Sequence, residues 1–174
     1  ALYELLRDAQ GHPIDWRVLE INDAYTHHTG IERQSIVGRS VGELYPDAVP
    51  EYLPLFTHVV ESRQPVDFEM FSKFVGRYFH VVSFPAGGDR FASIIENISE
   101  RKQAQMERDN TIRLLRLINA SKSSRELLTA TVQFVKETSG CDAVGIRLKH
   151  DGDFPYAETL GFSKEFLEAE QSLC

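Results

Sequence analysis

The 174-residue sequence predicts an α+β fold. It should form a five-stranded antiparallel sheet with helices on one face, then a long helix, then a partial α/β unit. Three observations point there. Two short half-apolar runs open the chain and three more lie between residues 66 and 98, each bounded by turn residues. Helix signals fill the interval between the two sets. From Ser99 to Ser124 neither Gly nor Pro occurs, and Gln, Arg and Glu dominate.

"LYELLRD" (Leu2–Asp8) and "DWRVLEIN" (Asp15–Asn22) flank "AQGHP", a hairpin connection with Gly11 and Pro13. Asn22 suits the N-cap of "DAYTHHTG", which Gly30 closes. "IERQSIVGRSVGELYPD" reads as two short helical turns punctuated by Gly38, Gly42 and Pro46. In "EYLPLFTHVVESRQ", Leu55, Phe56, Val59 and Val60 share one side of an amphipathic helix, and Pro54 suits only its first turn. "VDFEMF" alternates Val66, Phe68 and Met70 against Asp67 and Glu69, so one face is buried and the other wet. "GRYFHVVSF", the turn "PAGGD" and "RFASIIENI" complete the strands.

"IIENISERKQ" (Ile94–Gln103) then passes from strand to helix composition with no turn residue between. In the helix that follows, Ile98, Ile112 and Leu115 share a heptad frame whose other seam positions are Arg101, Gln105, Arg108 and Asn119. The seam is polar early and apolar late. After the caps Ser123 and Ser124, "RELLTATVQFVKETSG" forms a helix expected to bury Leu127, Leu128, Val132 and Val135 before Gly140 stops it. "CDAVGIRLKH" and "FPYAETLGF" flank the turn "DGD", and "SKEFLEAEQSLC" begins another helix. The division is therefore residues 1–98, a linker helix over 99–120, and an incomplete unit over 121–174.

Net charge is −7, with 42% apolar and 26% charged residues, an ordinary globular balance that argues against nucleic-acid binding. Residues 99–120 alone are basic, with 5 basic and 3 acidic side chains. No apolar run approaches the ~18–20 residues of a membrane span. The expectation is a cytoplasmic setting without direct membrane contact. Opening at Ala1 rather than Met is expected of a piece of a longer protein. Cys141 and Cys174 match no metal spacing and suggest no disulfide framework.

"VLEINDAYTHHTGI", with Asn22, resembles the second strand and first helix of a PAS domain, and "IVGRSVGELYPD" resembles the segment around its next helices. "GRYFHVVSFPAGGDRFASIIENISERK" is similar to the last two PAS strands and the exit motif D-I-T-E-R-K. Asn97 replaces the usual aspartate of that motif. "SRELLTATVQFVKETSGCDAVGIRLKHDGDFPYAETLGFSKEF" resembles the start of a GAF domain, the pair being found in multidomain sensor histidine kinases of two-component systems. The resemblance implies a PAS sensor domain over 1–98, a signalling helix, and a truncated GAF module. It also implies that Glu96, Asn97, Ile98 and Arg101 couple the last strand to the helix.

The cofactors known in the family have specific needs. Flavin photosensors and covalently linked chromophores require a cysteine, and residues 1–140 contain none. Haem requires an axial ligand, usually His. His58 comes late in the helix that carries it in oxygen-sensing relatives, and Tyr52 stands nearer the ligand's place. Adjacent His27 and His28 diverge on a helix and do not share a metal. His150-Asp151 and Gly87–Asp89 ("GGD") lie at turns, outside the contexts that give such pairs catalytic meaning. No P-loop or phospho-acceptor histidine is found. No cofactor, metal or catalytic residue is therefore expected.

What remains is an apolar pocket from the helix and strands that enclose the family's cavity: Phe56, Val59, Phe68, Met70, Phe79, Val81 and Ile94, with His80 as a polar member. Arg77, Tyr78 and Ser83 could add polar groups, while Trp16 and Phe91 read as core or dimer surface. The function this implies is binding of a small ligand or partner, relayed through the helix of a homodimer. A ligand-free dimerisation scaffold and the regulatory part of a cyclic-dinucleotide enzyme are the alternatives.

Overall fold

A computed structural model describes residues 1–170. The chain forms two compact units that divide between Gln103 and Ala104. The first is built on a five-stranded antiparallel sheet with spatial order β2-β1-β5-β4-β3. These strands are β1 (Leu2–Arg7), β2 (Pro13–Glu20), β3 (Val66–Ser72), β4 (Arg77–Gly87) and β5 (Arg90–Asn97). Between β2 and β3 come α1 (Asp23–Thr29), α2 (Arg33–Ile36), α3 (Val41–Leu44) and α4 (Ala48–Ser62).

Local chemistry sets the turns. The Asp8 carboxylate accepts from the backbone N–H groups of Gln10 (2.9 Å) and His12 (2.8 Å), closing the β1–β2 loop. Asn22 Oδ1 accepts from Tyr25 N at 3.0 Å and caps α1, which ends at Gly30 with φ +74°. Asp15 on β2 accepts from Gly42 N through both carboxylate oxygens, at 3.0 and 3.1 Å. A Cβ on Gly42 would lie 2.6 Å from Asp15 Oδ2, so only glycine allows this approach.

The core lies between the sheet and α4. Tyr3, Leu5, Trp16, Val18 and Phe91 point inward from the strands and cluster with Phe56, Val59 and Val60 of α4, and Phe79 and Val81 of β4 are buried as well. Because α4 begins at Ala48, Pro54 falls in its second turn, not its first, and the Pro50 carbonyl loses its helical donor there. The "PAGGD" segment is not wholly turn either: β4 continues to Gly87, and a register shift between Pro85 and Gly87 turns it into β5.

Helix α5 (Ser99–Ala120) begins one residue beyond Ile98 and has no buried residue. The second unit continues with α6 (Ser124–Ser139), a two-stranded antiparallel sheet of β6 (Val144–Arg147) and β7 (Tyr156–Leu160), and α7 (Lys164–Ala169). Ser123 Oγ accepts from Glu126 N at 3.2 Å to cap α6. This helix buries Val132 and Phe134, whereas Val135 is exposed. The Arg113 guanidinium lies 5.5 Å from the Phe134 ring centroid and pairs with Glu137, so it covers the ring at 134 and not the valine after it. Cys174 lies outside the described residues.

Candidate functional site

A cavity of about 730 Å³ opens between the inner face of the five-stranded sheet and its helices. Strand alternation decides which residues reach it. Phe79 and Val81 of β4, Ser93 and Ile95 of β5, Tyr3 of β1 and Trp16 of β2 line it from the sheet, with Phe68 and Met70 from β3. Tyr25, Tyr52 and Phe56 close it from α1 and α4. Phe74, at the tip of the β3–β4 loop, sits at the rim with its ring 4.3 Å from that of Tyr45.

The wall is a continuous aromatic relay. Phe91 stacks between Tyr3 (centroids 5.0 Å apart) and Phe56 (4.6 Å), Trp16 meets Phe56 edge-on at 5.0 Å, and Tyr52 stacks on Phe68 at 5.9 Å.

The deep part holds a buried pair of serine hydroxyls. Ser83 and Ser93 are both buried, with their Oγ atoms 2.7 Å apart. Burial raises the phenols of both Tyr3 and Tyr25. Both side chains line the cavity. Charge is confined to the exposed Asp47, Glu51 and Lys73 at the rim. There Tyr52 donates to Glu51 at 2.7 Å, and burial, followed by that bond, holds its phenol well above the ordinary range.

Of the predicted pocket residues, Phe56, Phe68, Met70, Phe79 and Val81 line the cavity. Three do not. Val59 is fully buried in the core and does not reach the cavity. Ile94 is 63% exposed on the opposite sheet face, because Phe91, Ser93 and Ile95 take the inward positions of β5. His80 also faces outward: its Nε2 is 2.7 Å from Asp67 Oδ1 and its Nδ1 3.6 Å from Glu96 Oε2. The bond to Asp67, and then Glu96, raises its pKa. Ser83 points inward but is sealed behind Ser93; Tyr78 packs outside on Phe71 at 4.8 Å, and Arg77 donates to the His28 carbonyl at 2.7 Å. Among the cavity residues not anticipated are Tyr3, Tyr25, Tyr45, Tyr52 and Ser93, together with Trp16 in this role. Their signal was a polar tip on an otherwise apolar face, present at Tyr3 and Ser93 in the strand alternation itself.

The exit from the sheet is tightly bonded. Ile98 is buried and its N–H donates to the Tyr78 carbonyl at 2.9 Å. Asn97 Oδ1 accepts from Ser99 N, and Ser99 Oγ accepts from Tyr78 N, both at 3.0 Å. The Glu69 carboxylate on β3 pairs with Arg101 (2.7 Å) and with Lys102, and Lys102 is the main cause that holds it below the usual carboxylate range. Glu96 stands on the His80 side of this junction.

Among the described residues no helix is long and apolar enough to cross a membrane. No curated protein matches the chain. Two solved structures of chromophore-binding domains from Stigmatella aurantiaca are similar to it. One is a point mutant of a bacteriophytochrome in the Pr state, at 18% identity and a TM-score of 0.34, with 92% of this chain and 53% of that one covered. The other is wild-type phytochrome P1, at 16% identity and a TM-score of 0.32, with 94% and 54% covered. The chain thus spans about half the length of these solved structures. The family model described as PAS fold matches residues 14–103, from the second strand through the first turn of α5. With half of its length so matched and the five-stranded sheet in place, the chain belongs to the PAS fold family of sensory signalling modules.

Proposed function

We propose that this chain is the sensory part of a longer signal-transduction protein, a sensor histidine kinase of the two-component type. Its first unit takes up a small molecule in the cavity, and α5 carries the occupied state onward to a unit that begins a GAF domain. One observation carries this reading: strands β4 and β5 line the cavity and also hold the start of α5, with no flexible loop between. Phe79 and Val81 touch the cavity on the strand whose Tyr78 backbone binds Ile98 and Ser99. A ligand that displaces β4 therefore displaces the root of the helix. A ligand can shift such an equilibrium only by its differential affinity for the two states. The chain itself performs no catalysis in this reading.

Mass spectrometry of the freshly purified, denatured protein, compared with its buffer, tests the uptake. A small molecule should co-purify in amounts stoichiometric with the chain, and Phe56→Trp, which fills the cavity, should reduce its yield. Its absence from protein prepared in several hosts, together with no thermal stabilisation by any small-molecule extract, would refute ligand sensing.

A second reading has its own observation. Helix α5 leaves Ile112, Leu115 and Ile118 exposed, an apolar stripe that suits pairing with a second copy. A ligand-free dimerisation scaffold would use that stripe alone and would carry an empty cavity.

A further inference from the structure

The outer face of the sheet carries a charge cluster that the cavity does not use. His80 lies at its centre. On β4 it stands directly across from Glu69 of β3 on one side and from Glu96 of β5 on the other. Side chains opposite each other on one face are close enough to interact. Asp67, two residues before Glu69 on the same face of β3, is the third carboxylate, and its Oδ1 is 2.7 Å from His80 Nε2. Glu96 Oε2 approaches the other ring nitrogen, Nδ1, at 3.6 Å. Glu69 in turn holds two cations in the first turn of α5, Arg101 at 2.7 Å and Lys102.

Only one protonation state of the ring suits both of its neighbours. The imidazolium has an N–H at each nitrogen, so it donates to Asp67 and points its second N–H at Glu96. A neutral ring has one N–H and one lone pair, and the lone pair then faces a carboxylate. The charge of the cluster changes with it. With His80 charged, the cations His80, Arg101 and Lys102 balance the carboxylates Asp67, Glu69 and Glu96. With His80 neutral, only Arg101 and Lys102 remain for the same three carboxylates, and both belong to α5. Asp67 and Glu96, no longer neutralised by the ring, then compete with Glu69 for them. Glu96 is on the strand that runs into the helix, whereas Glu69 is on β3, an edge of the sheet.

We infer that the proton on His80 decides whether the first turn of α5 is fastened to β3, so that the root of the helix responds to pH as a second input beside the cavity. In the imidazolium form Glu69 keeps Arg101 and Lys102. In the neutral form its hold is shared with Glu96 and Asp67, and the turn loosens from the edge strand. The bond to Asp67, and then Glu96, raises the pKa of His80 above its ordinary 6.5, which moves the change upward from there. The fastened state is therefore complete below the unfolded value and is lost as pH rises through the folded one. The clasp acts on an empty cavity as well, although its use as a signal rests on the reading that α5 is the relay.

Amide hydrogen exchange read by NMR at about pH 6 and about pH 8.5, corrected for the intrinsic pH dependence of exchange, tests this on the whole chain. Protection at Gln103 and at Lys102, whose N–H donates to the Ile98 carbonyl at 2.9 Å, should fall about two- to fivefold at the higher pH, the size expected of exposed ion pairs. Protection at Phe79 and Val81 in the sheet should stay level. His80→Gln, which lacks the second N–H at every pH, should show the low protection at both. Glu96→Gln should remove most of the pH dependence, because its amide can donate to the lone pair that a carboxylate would oppose. His12, His27, His28 and His58 remain in both variants, so a dependence that survives in both belongs to another group and overturns the inference. No fall at the higher pH in the wild type overturns it too, as does high protection at both pH values in His80→Gln. A fall of equal size at Phe79 and Val81 would mean that pH acts on the whole sheet, and the clasp would be discarded. No ligand is added, so every one of these outcomes leaves small-molecule uptake to the co-purification experiment.

Discussion

Phe91 shows how single residues set the character of this sensor. It is fully buried, with Tyr3 stacked on one side and Phe56 on the other. Removing its ring leaves a hole that neither neighbour can fill without giving up its own stacking. Phe91→Ala should therefore cost about 3–5 kcal/mol in urea unfolding, and a loss below about 1 kcal/mol would show that the core collapses around the gap. His80 belongs to the other face. Its pKa is raised by Asp67 and Glu96, so its pairing stabilises the folded state most fully below its unfolded value near 6.5. That contribution is lost as pH rises through the higher folded value. Titration of the His80 ring by NMR should give a midpoint above 6.5, and Asp67→Asn should lower it; an unchanged midpoint in that variant would rule out the pair as the cause.

Among the elements, the passage from β5 into α5 is the most informative. Charge and composition announced a helix without a breaker, and the bonds explain how the change of element is made without a loop. Ile98 stays in the core, Asn97 accepts from Ser99 N, and Glu69 holds Arg101 and Lys102. In the usual exit motif an aspartate occupies the place of Asn97; the amide oxygen here performs the accepting role without charge. Asn97→Ala should lower stability by about 1 kcal/mol, as for loss of a helix-start acceptor, and Asn97→Asp should restore it. Hydrogen exchange at the first turn of α5 is the sensitive readout, because unfastening should appear there before it appears in β1. A uniform change across the sheet would mean that Asn97 acts on the fold and not on the junction. The outer exposure of Ile94 follows from the same strand: Phe91 pairs opposite Tyr3 and Ser93 opposite Ser83, which leaves position 94 on the far face.

For the whole molecule, the coupling proposed from cavity to output would depend on the rotational register of α5. Inserting one residue after Lys102 turns everything downstream by about 100°, whereas seven residues nearly restore the heptad phase. In the longer signalling protein proposed above, the single insertion should lock or invert the output and the seven-residue insertion should largely preserve it. Equal output from both would exclude rotation as the signal. The exposed Ile112 and Leu115 should bring two copies together, and light scattering of the wild type against an Ile112→Lys, Leu115→Lys variant checks this. A wild-type chain that stays monomeric at high concentration would remove the dimer from the mechanism.

The sequence by itself determined the identity and order of the elements, the caps at Asn22 and Ser123, the stop at Gly30, and the unbroken entry into α5. Each of these depends on neighbours within a few residues, where backbone preference and side-chain capping act directly. Only the tertiary structure decided which face of a strand turns inward. In "RFASIIEN" apolar residues occupy both faces, so alternation alone leaves the phase open, and the inward serine at 93 reverses the usual polarity. The burial of Phe134 in place of Val135 likewise depends on Arg113 arriving from another helix. Tyr3 and Tyr25 line one cavity, although one comes from a strand and the other from a helix 22 positions away in the chain. Such contacts arise from packing between distant segments, and no local pattern encodes them.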